Sequence, residues 1–309
     1  MLSTRSPTFK HDTVKNTERA LLGDVSILSL LGPDAEAFAQ SQLMNDVTAL
    51  AVGRWQWGGW LTAKGRLQAL FALVRMAPGE LWMVLPDTPP ETVRDGLQRF
   101  VFRSKLKLSV REDLGVFARW ADAAGTDGAA TPTEAIGDGG RDAVWTAEDG
   151  ATCLDLSADG ARRIWCIAPR DGHVVDPSAT ARSRDDDLRH GLPRGAALAE
   201  QGWTPHMLSL DRLKAFSVRK GCYPGQEIVA RTHFLGQSKR QLWWIDGHAI
   251  DLDAAVLDAD GRPVGELIAT TADRRGALAV AALPGPGAFV CGDAPVQASP
   301  PLTGLARPI

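Results

Sequence analysis

The chain has 309 residues, 44% of them hydrophobic, and a formal net charge of -3. That length and apolar content support a large core and favour two or three packed modules over one. Without an excess of positive charge no global field recruits nucleic acid, so no stable nucleic-acid complex is expected. No apolar run approaches the roughly 20 residues that span a bilayer, and the N-terminal stretch lacks the apolar centre of a secretory leader. The expected compartment is the cytoplasm, with no membrane contact.

Residues 1–20 are polar and aperiodic and read as a mobile tail or loosely docked arm. A first strand is expected near Val25 to Leu31. Pro33 then suits a first helical turn, and Ala35, Phe38, Ala39 and Leu43 share one face, which predicts a helix over 33–45. Strand-like runs follow at Trp55 to Leu61, Gln68 to Arg75 and Leu81 to Leu85, separated by glycine and proline turns as in an antiparallel meander. Pro90 and Glu91 open another helix, with Val93, Leu97, Phe100 and Val101 on its apolar face, and Leu106 to Val110 alternates like a strand with Lys105 and Lys107 outward.

Residues 121–142 are poor in large apolar side chains and read as a loop or irregular insertion. Further strands are expected at Val116 to Trp120, Thr152 to Leu156 and Arg163 to Ile167, followed by a polar helix from Pro177 to Arg189. Strands and helices without strict alternation indicate an α+β protein. After Lys239 only short strands remain, at Gln241 to Ile245, Ala255 to Leu257, Val264 to Ala269 and Ala277 to Ala282, a spacing that predicts a small β-barrel or sandwich. The expected division is a tail (1–20), a first α+β module (21–115), a second (116–189), a return segment (190–239) that completes the first, and the C-terminal barrel (240–309).

The most informative stretch is 220–231, Lys-Gly-Cys-Tyr-Pro-Gly-Gln-Glu-Ile-Val-Ala-Arg. It sets Cys222 among charged side chains in a turn built from Gly221, Pro224 and Gly225. Such a turn either presents the thiol at a surface, where Lys220 favours the nucleophilic and metal-binding thiolate, or is a tight loop that contains a cysteine. The other cysteines, Cys153, Cys166 and Cys291, sit in apolar or small-residue surroundings and are expected to pack as small hydrophobes. No Cys-x-x-Cys spacing and no paired-histidine motif occurs, so no metal site is predicted. Phosphate-binding and dinucleotide-binding glycine loops are also missing, which leaves ATP and dinucleotide use unsupported.

From Phe216 to Arg240 the sequence resembles the signature of the YgfZ family, folate-binding proteins that share the fold of the glycine-cleavage aminomethyltransferase (GcvT-like). Gly32-Pro33-Asp34-Ala35 with Gln42 to Val47, Leu61 to Arg66, Phe100 to Leu106, and Pro205 to Leu213 are similar to further segments of that family. The resemblance implies three modules around a central channel. It also implies binding of tetrahydrofolate or a related reduced folate, and assistance to iron-sulfur cluster assembly or repair with indirect effects on tRNA modification. The implied partners are iron-sulfur client enzymes or assembly proteins. On this reading Cys222 and Lys220 carry the chemistry, while Gln226, Glu227, Arg231, Lys64 and Arg66 position the folate. Two alternatives share those residues: a folate-dependent one-carbon transferase, and a non-catalytic folate-sensing scaffold.

Several groups carry two readings at this stage. Lys64-Gly65-Arg66 suits either the glutamate tail of a folate or a solvated hairpin. Trp57 and Trp60 flank Gly58-Gly59 and are the stacking candidates for a pterin ring, against core packing for most other tryptophans. Asp185-Asp186-Asp187 reads as a solvated helix end, since successive helical residues do not share a face. His233 lies just past the signature and either reaches the site or faces water. Arg99, Arg103, Lys105 and Lys107 form either a local basic strip or a solvated helix-strand junction. One departure stands out: Arg189 occupies a position where related folate proteins commonly carry a pterin-binding glutamate, and a guanidinium accepts no hydrogen bonds.

Overall fold

The computed structural model describes residues 19–120, 140–159, 162–236 and 238–307. Most of the expected tail and most of the expected loop at 121–142 lie outside them. Strands β1 (Ala20–Leu21) and β2 (Val25–Leu31) lead into helix α1 (Ala35–Gln42). The meander follows as β3 (Arg54–Leu61), β4 (Leu67–Ala77) and β5 (Glu80–Pro86), then α2 (Pro90–Gln98) and β6 (Lys107–Val110). Next come β7 (Leu114–Trp120), β8 (Val144–Thr146), β9 (Thr152–Asp155), β10 (Arg163–Pro169) and α3 (Pro177–Arg189). Helix α4 (Gln226–Leu235) precedes β11 (Gln241–Asp246), β12 (Ala255–Leu257), β13 (Pro263–Thr270), β14 (Gly276–Ala281), β15 (Gly287–Cys291) and β16 (Ala294–Ser299).

The first sheet has the order β3-β4-β5-β2-β6 and separates two cores, because successive strand side chains point to opposite faces. On one face Leu28, Leu30, Phe71, Leu73 and Met83 pack against Phe38 and Ala39 of α1 and Val93 and Leu97 of α2. On the other, Trp55, Trp57, Leu70, Val74 and Val84 join a core shared with the second sheet, the return segment and the barrel. The second sheet runs β1-β7-β10-β9-β8, and β11-β14-β13-β12-β15-β16 closes as a barrel. The α+β fold with its C-terminal barrel is as expected. The sequence pattern missed β1, β8, β15, β16 and α4, and it extended the apolar face of α2 too far: the helix ends at Gln98 and Phe100 is 45% exposed.

Local chemistry explains the best-read helix. Asp176 caps α3 by accepting from the Ala179 N–H at 3.0 Å, and Pro177 occupies the first turn, where its missing N–H costs nothing. Downstream, Arg194 is fully buried and donates to Asp24, Asp87 and Asp187, tying the first sheet, α3 and the return segment together. Asp187 also accepts from buried Arg163, and Arg184 reaches Asp87 at 3.0 Å.

This network corrects the reading of the triple aspartate as a solvated helix end. Asp187 is fully buried, Asp186 accepts from the Trp120 indole, and Asp185 accepts from the Ala272 N–H. Cys153, Cys166 and Cys291 follow expectation in being buried in small cores, with one addition. Cys153 and Cys166 are cross-strand partners, their sulfurs 2.7 Å apart.

Candidate functional site

Backbone contact between two turns organises the site. Gly225 has φ 81 and caps the N-terminus of α4. A Cβ there would lie 2.6 Å from the Thr62 carbonyl oxygen and 2.7 Å from the Gly65 Cα, and a Cβ on Gly65 (φ 70) would lie 2.8 Å from Ile228 Cβ. Only glycine fits both positions. The turn at 62–66 is closed by bonds from the Gly65 N–H to the Thr62 carbonyl (2.9 Å) and from the Thr62 N–H to the Arg66 carbonyl (2.8 Å). Two sequence segments 160 positions apart thereby form one surface. The two joined segments bear exposed Lys64 and Arg66 on one side of the contact and exposed Cys222, Glu227 and Arg231 on the other, the last two one helical turn apart on α4. The Arg66 guanidinium donates to the Gly202 carbonyl at 2.6 Å.

The same loop is fastened to the end of α1. Asn45 is buried and donates through Nδ2 to the carbonyls of Trp57 and Lys214, both at 2.8 Å, while the Ser217 N–H donates to the Met44 carbonyl at 3.0 Å. Lys220 is 5% exposed, and its Nζ donates to the carbonyls of Gln40, Leu43 and Asn45 while lying 4.9 Å from the centre of the Tyr223 ring. The expected pairing of Lys220 with the Cys222 thiol is therefore corrected. A buried ammonium takes the nearest acceptors, and here these are carbonyls in the last turn of α1, at its cap and just beyond it, where positive charge is also favoured. Gln226 closes the loop by donating to the Lys220 carbonyl at 3.3 Å.

Both tryptophan stacking candidates are corrected as well. Trp57 is fully buried, its indole N–H donating to the Leu305 carbonyl at 2.8 Å and its ring edge-on to Trp55 at 5.2 Å. Trp60 points to the opposite face of the sheet, where it packs so closely on α2 that a Cβ on Gly96 would lie 2.2 Å from its ring. No single ligand meets both rings. The intervening glycines make room for Phe71 and Met44 rather than for a ligand.

One residue passed over in the sequence belongs to this region. His206 has two buried ring nitrogens without a hydrogen-bond partner, its ring 4.9 Å from Phe216 and 6.2 Å from His233 of α4. Nothing in its local sequence separates it from a surface histidine. His233 itself is exposed and lies edge-on to Phe234. Burial lowers the His206 pKa from the ordinary 6.5, with Asp211 opposing and His233 adding to the shift. The folded protein therefore stays neutral here where the unfolded chain takes up a proton, and stability falls as pH drops below about 6.5. Thermal unfolding of His206→Phe is expected to show a shallower decline from about pH 6.5 to 5.5 than the parent. Parallel declines would show that other groups set it.

Arg189 lies away from this surface, exposed at the end of α3 with its guanidinium 5.6 Å from the centre of the Trp244 ring. It lines an open polar cleft of roughly 440 Å³ with Asp246, His248, Asp273 and Arg275. Among the described residues no cluster of three or more metal-ligating side chains occurs, and no helix is long and apolar enough to cross a membrane.

No model of a protein family matches the chain. It is 28% identical over 242 residues to the tRNA-modifying protein YgfZ of Vibrio vulnificus, covering 74% of this chain and 69% of that protein. It is 25% identical over 277 residues to the tRNA-modifying protein YgfZ of Aliivibrio fischeri, covering 86% and 83%. In structure it is similar to the glycine cleavage system aminomethyltransferase T of Bartonella henselae, with a TM-score of 0.64 at 14% identity over 89% of this chain and 82% of that one. The resemblance carried by the motifs thus holds along most of the chain, which is YgfZ-like in sequence and aminomethyltransferase-like in fold.

Proposed function

We propose that the chain binds tetrahydrofolate or a related reduced folate and assists assembly or repair of iron-sulfur clusters, affecting tRNA modification through client enzymes. The observation that carries this reading is the exposed Cys222 on a turn locked to a second turn at Gly65 and to α1 through Lys220. A thiol held so firmly at a surface suits chemistry with a partner more than packing. It supplies one ligand where a cluster needs about four, so a cluster would be shared with a client or assembly protein and released.

The polar groups present fit a folate in part. Lys64, Arg66 and Arg231 are exposed cations suited to the carboxylates of its glutamate tail. Gln226 and Glu227 open α4 beside them. The unpartnered nitrogens of His206 point in divergent directions, so the ring would offer a pterin one hydrogen bond at a time. Bound there, a reduced folate would supply a one-carbon unit or a reducing ring, and the protein would supply position and the thiol.

Cys222→Ser is expected to abolish support of iron-sulfur enzyme activity in cells lacking the parent protein, while tetrahydrofolate still quenches tryptophan fluorescence. Full support by the serine variant would favour the scaffold reading instead. Absence of quenching at saturating folate would remove the cofactor. The aminomethyltransferase-like fold favours a second reading, a folate-dependent one-carbon transferase, whose mark would be release of one-carbon-loaded folate by purified protein.

A further inference from the structure

A second built surface lies away from the signature, where α2 gives way to β6. From 96 to 111 the sequence has no acidic residue, and Arg99, Phe100, Phe102, Arg103, Lys105 and Lys107 are all exposed. Phe102 is 87% exposed and Phe100 45%. Among the described residues none of the four cations makes an ion pair. The nearest preceding carboxylate, Asp95, is bonded to Arg94.

The segment is anchored through its backbone, which leaves the side chains free. Asp34 accepts from the Lys105 N–H at 2.6 Å, and the Asp34 N–H reaches the Lys105 carbonyl at 3.4 Å. Gly32 has φ 151, and a Cβ there would lie 2.2 Å from the same carbonyl, so glycine is required for the approach. Gly32-Pro33-Asp34 and Phe100 to Leu106 are two of the segments that carry the family resemblance, and their contact explains why they belong together.

Charge on an edge strand discourages strand pairing between molecules, and β6 is an edge strand, which gives Lys107 a sufficient reason. It gives none for two phenylalanines offered to water beside four unpaired cations. Exposed aromatic rings interleaved with cations are what single-stranded nucleic acid requires, since every base has a face to stack and every linkage a phosphate to neutralise. Lys105 stands just ahead of β6 and Lys107 opens it, so the two charges sit two residues apart at the start of the strand and can each meet a phosphate of an open strand. A narrow strand touches the strip alone. A flat anionic membrane would instead meet the field of the whole molecule, whose net charge is -3, and an acidic peptide would have no use for the rings.

We propose that the strip at 99–107 is a contact site for single-stranded RNA, weak and salt-sensitive rather than a stable complex. The test is fluorescence anisotropy of a labelled oligouridylate of about 12 nucleotides with the full chain. Binding is expected with Kd between about 1 and 100 µM and a slope of log affinity on log salt near about -2.8 for four released counterions. Phe102→Ala should weaken binding about fivefold or more and leave the slope alone. The double variant Arg103→Gln, Lys105→Gln should flatten the slope by about 1.4. Both variants alter exposed side chains and should keep the parent Tm, which separates loss of contact from loss of fold. No binding at about 100 µM protein overturns the proposal. So does unchanged affinity in Phe102→Ala, equal binding to polyglutamate, or binding to phosphatidylglycerol vesicles without binding to the oligonucleotide.

Discussion

Arg194→Met is expected to cost about 3–5 kcal/mol of stability at neutral pH, the usual penalty for leaving a buried ionic network without its cation. The side chain is fully buried and donates to Asp24, Asp87 and Asp187, which come from the loops next to β2 and β5 and from α3. Methionine fills similar space but leaves three carboxylates short of their shared partner. Arg194→Lys should recover little, because a point charge cannot serve three acceptors spread around a planar fork. Burial raises the Asp24 pKa above 3.8 despite Arg194, whereas at Asp87 burial is outweighed by Arg194 and Arg184, which hold it below 3.8. Removing the cation lets burial prevail at both. The variant's folded state then holds protons that its unfolded state has released, so its deficit relative to the parent shrinks on acidification toward the ordinary carboxylate range. Chemical unfolding at several pH values checks this. A deficit below about 1 kcal/mol, or one that grows on acidification, would show that the network contributes little beyond packing.

Much of this architecture was readable because it rests on local signals. The polar helix expected from Pro177 to Arg189 is where α3 stands, and its start is a local matter, an aspartate cap at Asp176 followed by a first-turn proline. The meander and four of the barrel strands were legible from alternation and turn residues. What escaped depends on facts that only the assembled chain supplies. Trp57 and Trp60 looked like a pair around two glycines, but strand alternation sends them to opposite faces, and only packing shows that both faces are filled.

Lys220 looked like a neighbour of Cys222 because it is one in sequence. Its ammonium instead reaches α1, some 180 residues away. The facing of Cys153 and Cys166 depends on the register of β9 and β10, which no spacing rule specifies. Conversely, the contact of Gly65 with Gly225 turns two separate glycine turns into one structure, and this is the step by which the signature acquires a shape.

Lys220→Met is expected to loosen the signature itself. Three backbone carbonyls lose their donor and the C-terminus of α1 loses its cation, a combined cost of about 2–4 kcal/mol. Amide exchange should quicken across 217–226 more than in the barrel, since the lysine fastens that loop to α1. Burial pulls the Lys220 pKa from 10.5 down to about 8, with Asp46 opposing. The folded protein thus releases this proton before the unfolded chain does, so the parent gains stability on the variant from about pH 8 to 10.5. The alkylation rate of Cys222 decides between the two roles for the lysine. If Lys220→Met slows alkylation while stability and amide exchange stay at parental values, the lysine acts on the thiol and the fastening role is wrong. If stability and exchange change as expected, the lysine serves Cys222 by holding the turn that presents it.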